Sequence, residues 1–128
     1  MERKIMSIAA LMGMLAIILG AFGAHALKKV LSVEQLNAFE TGVKYQMYHA
    51  LFLLFLGLNT LLDEKAKKTV FQLVIFGVIF FSGSIYLLTT KAITGVDFKF
   101  VGILTPIGGA LLILAWSILF WKIWKGKG

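Results

Sequence analysis

The sequence predicts an all-α integral membrane protein, a bundle of four transmembrane helices with a short amphipathic interfacial helix between the first and the second. Three observations point there. The chain has 128 residues, 59% hydrophobic and 15% charged, with a mean hydropathy of +0.90, which leaves too little polar surface to cover a water-soluble domain of this size. Four apolar stretches approach the ~20 helical residues that cross a hydrocarbon core. The polar and glycine-rich clusters gather at one end of each stretch.

The first span covers residues 5–22, Ile5 to Phe22. Arg3 and Lys4 before it and Ala24-His25-Ala26 after it resemble a secretory signal with its cleavage site. The apolar run exceeds a usual signal core, so the segment is expected to stay as a helix. Its small-residue ladder, Ala9, Gly13, Ala16, Gly20 and Ala24, reads as a close-packing face. Next, Ser32 with Gln35 three residues later makes a capping box. Val33, Leu36, Phe39, Val43 and Met47 then recur at helical spacing opposite Glu34, Gln35, Asn37 and Thr41. This predicts an interfacial helix over 33–44, lying at the outer surface and bending near Gly42 into the second span; the competing reading folds it back on the bundle as a lid. The second span, 45–62, is the weakest, because its uninterrupted apolar run is only Ala50 to Leu58. The third and fourth, 70–88 and 101–121, are interrupted only by residues that intramembrane helices accommodate. No repeat and no linker divides the chain, so residues 1–128 form one domain.

Basic residues orient the bundle. Arg3, Lys4, Lys65, Lys67, Lys68, Lys122, Lys125 and Lys127 fall on one side, against Lys28, Lys29, Lys44, Lys91 and Lys99 on the other. Both termini are therefore expected in the cytoplasm, with Trp121 and Trp124 at the inner interface. Orientation and anionic lipid account for the net charge of +7. Nucleic acid is not an expected partner, since no compact basic stripe interleaved with aromatics appears.

With this topology, Gly20 to His25, Lys44 to His49, Phe81 to Tyr86 and Thr105 to Gly109 meet at one depth in the outer third. Tyr45, Tyr48 and His49 share a helix face, and Ser82 and Tyr86 repeat the spacing. The candidate ligand-binding residues are His25, Tyr45, Tyr48, His49, Ser82, Ser84, Tyr86 and Thr105. The same residues also suit plain helix packing through hydroxyls, imidazoles and glycines. The histidines, only two in the chain, admit a bis-imidazole haem site, a metal site, a proton-responsive pair near Glu40, or simple hydrogen bonding.

Gly20-Ala-Phe-Gly-Ala-His-Ala-Leu27, the run from Phe39 to Leu51, Phe81-Ser-Gly-Ser-Ile-Tyr-Leu87 and Thr105-Pro-Ile-Gly-Gly109, in this order and spacing, resemble the YgdD/YwdK family of small bacterial membrane proteins of unknown function, which has eukaryotic relatives in mitochondria. The resemblance implies a four-helix protein of the bacterial cytoplasmic membrane and carries no catalytic residue or cofactor onto this chain.

The absence of cysteine excludes a disulfide scaffold, a thiolate zinc site, an iron–sulfur cluster and a cysteine nucleophile. The outer layer holds no carboxylate pair, no zinc ligand set and no Asp-rich phosphate-metal motif, and Asp97 alone is not a site. The expected function is thus not enzymatic, with no metal or cofactor. The chain is expected to bind a lipid, another amphiphile or a partner helix at the outer polar layer. A transporter or channel subunit acting as a homo-oligomer or with a partner membrane protein is the first alternative, and a bis-histidine haem protein the second.

Overall fold

The four expected spans fall on four long helices in the computed structural model, which describes residues 2–90 and 99–126. Residues 91–98, with Lys91 and Asp97, the lysine Lys127, and Met1 and Gly128 lie outside the described residues. Among the described residues there is no strand. Helix α1 runs Glu2–Leu27, α2 Val33–Leu58, α3 Glu64–Thr89, and α4 Leu104–Lys125, preceded by a 3₁₀ turn over Lys99–Ile103. Three of these helices, α1, α3 and α4 with the turn before it, are long and apolar enough to cross a membrane. Helix α2, with Glu34, Glu40, Lys44, Gln46 and His49, is too polar to meet that test by composition.

Local chemistry sets the ends. The Ser32 hydroxyl accepts from the Gln35 N–H (3.1 Å), and the Ser32 N–H donates to the Gln35 side chain (3.0 Å), forming the predicted capping box. Helix α2 stops at Leu58, short of the expected 62, because Asn59 turns extended and its side-chain oxygen accepts from the N–H groups of Leu61 (2.6 Å) and Leu62 (3.3 Å). Asp63 caps α3 by accepting from the Ala66 N–H at 2.7 Å. Pro106 falls in the first turn of α4, where its missing N–H costs no helical bond.

The predicted separate interfacial helix does not exist as such. Residues 33–44 are the first half of one continuous 26-residue helix, and no break occurs at Gly42. The apolar stripe faces α1: Phe39 lies against Gly23, Val43 against Gly20, and Met47 against Gly13. Gly42 is a contact point, since a Cβ there would meet Tyr86 Cε1 at 2.9 Å. A stripe that finds a helical partner from Phe39 to Met47 has no reason to turn into the interface.

The helices pack antiparallel in sequence. Gly57 meets Met6 at one end of α1–α2, and Phe39 meets Gly23 at the other. Helix α3 crosses α4 at Gly77 and Gly108, and α2 packs on α3 through Gly42 and Ser82. The N-terminal end of α1, the α2–α3 connection and the C-terminal end of α4 therefore lie at one end of the molecule. That half holds the apolar core, with Ile5, Ala9, Leu53, Leu56, Val70, Val74, Ala115 and Leu119 buried together.

Candidate functional site

The other half is organised around side-chain hydrogen bonds, and α2 supplies its centre. Gly42, Gln46, His49 and Leu53 follow one another by four, three and four residues, and all are buried, which makes them a single stripe on the helix. Gln46 donates through Nε2 to the Met12 carbonyl of α1 (2.9 Å) and accepts through Oε1 from the Tyr86 hydroxyl of α3 (2.7 Å). One amide thus ties three helices. Ser82, 1% exposed, donates to the Gly42 carbonyl at 2.7 Å. The Ser84 and Thr105 hydroxyls bond one another across α3 and α4.

His49 is the link to α4. Its Nε2 accepts from the Trp116 indole N–H at 3.1 Å, so Nδ1 carries the proton and donates to the Tyr45 carbonyl at 2.7 Å. Both ring nitrogens are engaged. Phe52 stacks edge-on to Trp116, with centroids 4.5 Å apart, and closes the apolar side.

Wide π turns flank this layer on both sides. One spans Ile18–Gly23 in α1 and the other Ile79–Gly83 in α3, and they reach α2 at the neighbouring residues Val43 and Gly42 respectively. A π turn replaces an i→i−4 bond with a longer one and rotates the following side chains. In α3 that rotation accompanies the inward placement of Ser82 and Ser84, both buried.

The structure brings His49, Ser82, Ser84, Tyr86 and Thr105 together in interhelical bonds. Tyr45 and Tyr48 remain 40% and 53% exposed; Tyr45 lies on Phe81 with ring centroids 4.8 Å apart. His25 stands apart, exposed near the end of α1. Since Gly13 lies beside Ala50 and Gly20 beside Val43, His49 is level with position 14 of α1. His25 is eleven residues further along, about 16 Å of helix rise. The two rings do not share a cavity, and one iron between them, the bis-imidazole arrangement, does not fit this fold. Among the described residues no group of three or more His, Cys, Asp or Glu side chains converges as a metal site.

Between α2, α3 and α4 a groove of about 310 Å³ opens beside this network. Tyr45, His49, Phe81, Gly109, Ile113 and Trp116 line it. Sequence reasoning left Gln46 and Trp116 out of the candidate residues. Gln46 was legible from its place on the Gly42–His49–Leu53 stripe, whereas nothing local pairs Trp116 with a histidine 67 positions away.

A family model described as a protein of unknown function, DUF423, matches residues 19–109, which include every candidate residue above. The chain belongs to the DUF423 family. A membrane protein of the UPF0382 group from Haemophilus influenzae is 34% identical over 127 residues, covering 99% of this chain and 98% of the relative. YwdK of Bacillus subtilis, also named a UPF0382 membrane protein, is 36% identical, covering 86% of this chain and 87% of the relative. YgdD of Escherichia coli, named an inner membrane protein, is 29% identical over 92% of this chain and 87% of its own length. The resemblance read from the four motifs and these matches agree. No solved structure matches the chain.

Proposed function

We propose that this DUF423 protein crosses the bacterial cytoplasmic membrane four times, with both termini in the cytoplasm, and works without catalysis by holding an amphiphile, a phospholipid in the first instance, in the groove between α2, α3 and α4. The name of the Escherichia coli relative supports the inner membrane, and the excess of lysine and arginine at the terminus-bearing end supports the orientation. Packing supports a fourth span. Helix α2 runs beside α1 from Phe39 to Gly57, and its buried Gln46 and His49 find partners on α1, α3 and α4. Its polarity by composition is thus no obstacle in lipid, where a polar group needs only a protein partner.

The observation that carries the binding role is the groove itself. Its wall is apolar apart from a phenol, an imidazole and an indole, and Ile113 and Tyr45 at its edge are exposed. A few polar groups in an apolar concavity suit a molecule with one polar and one apolar part. Native mass spectrometry of the gently extracted protein tests this. A Cβ at Gly109 would meet only the Phe81 ring, at 3.7 Å, so Gly109→Leu fills the groove at little cost to the fold. It should abolish the bound species, and Tyr45→Phe should weaken it. A species retained at full occupancy in Gly109→Leu would refute the assignment.

A further inference from the structure

A second recess lies at the opposite end, between the first turns of α3 and the last turns of α4. It encloses about 490 Å³ and is lined by Asp63, Lys65, Thr69, Ser117, Trp121 and Lys122, among others. Most of its polar groups are already committed. The Thr69 hydroxyl donates to the Lys65 carbonyl and the Ser117 hydroxyl to the Ile113 carbonyl, while Asp63 accepts from the Ala66 N–H. The lysines are not. Among the described residues the ion pair is Lys67 with Glu2, at 3.3 Å, and the Lys65 and Lys122 ammonium groups, one from each wall, have no carboxylate partner among those residues.

The surroundings reinforce that sign. At this end the described residues Arg3, Lys4, Lys65, Lys67, Lys68, Lys122 and Lys125 outnumber Glu2, Asp63 and Glu64, seven against three. The recess also has an apolar wall in Ala66 and Ile118 and an indole at Trp121, the side chain that favours the boundary between headgroup and acyl chain. Free phosphate would need only the charges; the apolar wall and the indole call for a chain attached to it.

We propose that this recess seats the phosphate of an anionic phospholipid from the leaflet facing the chain termini, with Lys65 and Lys122 clamping it from two helices and Trp121 lying along the glycerol region. The site is separate from the groove between α2, α3 and α4. A basic cleft between helices at the membrane surface gains about 1 kcal/mol from each lysine, or about fivefold in affinity.

The test titrates the detergent-solubilised full chain with phosphatidylglycerol and with phosphatidylcholine, reading bound lipid by native mass spectrometry. The wild type should retain phosphatidylglycerol preferentially. Lys65→Gln or Lys122→Gln should weaken that retention about fivefold, and the double variant about thirtyfold, while Lys65→Arg with Lys122→Arg should restore it. Lys28→Gln with Lys29→Gln at the far end should leave it unchanged. Equal retention of the two lipids by the wild type, full retention by the double glutamine variant, or an equal loss in the Lys28/Lys29 control would overturn the proposal. Displacement of the lipid by millimolar inorganic phosphate would assign the site to free phosphate instead.

Discussion

The two halves of this molecule are built on different terms. Near the termini the core is apolar, with Leu53, Val70, Val74 and Ala115 fully buried, and a polar contact between helices there is the Lys67–Glu2 pair. Toward the other end, Gln46, Ser82, Ser84, Tyr86 and His49 join all four helices through five interhelical bonds. In lipid, acyl chains are as apolar as leucine, so association rests on shape and on hydrogen bonds at about 0.6 kcal/mol each. The five bonds therefore contribute about 3 kcal/mol. A leucine face slides along its neighbour at little cost, whereas a donor meets its acceptor at only one offset. The dry half supplies close contact and the polar half sets the register.

The largest effect should come from the dry half. Leu53→Ala, at a fully buried position, should lower stability in detergent by about 2–5 kcal/mol through the cavity it leaves. Thermal or steric-trap unfolding measures this. A loss smaller than that from any single polar substitution would reverse the comparison.

Next is the crossing of α3 and α4, where the halves join. A Cβ at Gly108 would sit 2.3 Å from the Phe81 nitrogen and 2.7 Å from the Gly77 carbonyl oxygen, both backbone atoms that cannot rotate away. Gly108→Ala should cost about 1–3 kcal/mol, and Gly109→Ala within about 0.5. Equal effects at the two glycines would mean that the helices do not approach so closely.

The smallest effects should fall in the polar half. Gln46→Leu removes two interhelical bonds and should cost about 1.2 kcal/mol, while Ser82→Ala removes one and should cost about 0.6. If register is what these bonds supply, Gln46→Leu should also broaden the distribution of distances between spin labels on α1 and α3, and Leu53→Ala should not. An unchanged distribution in Gln46→Leu would leave the polar half without its distinguishing role.

Much of this was legible along the chain. The capping box at Ser32 depends on two residues three apart, and the three apolar helices on composition, so neither needed a tertiary partner. The bend expected near Gly42 came from treating glycine as a hinge; its real constraint is Tyr86 on another helix, which local pattern does not contain. The end at Asn59 turned on a side chain folding back onto the N–H groups of Leu61 and Leu62, a choice that competes with helix continuation.

Of the candidate site, the sequence located the half of the bundle in which polar residues collect, because helix rise converts position into depth, but not the single depth expected, since His49 lies level with position 14 of α1 and His25 eleven residues further along. It did not decide which groups meet. His25 and His49 look alike in the sequence, yet one is exposed at a helix end and the other is held between Trp116 and the Tyr45 carbonyl. Rise along one helix is a local property of the backbone, and it was determined by the chain alone. The rotation of each helix about its axis depends on every neighbour at once, so only the tertiary structure could choose Gln46 as the centre and His25 as the outlier.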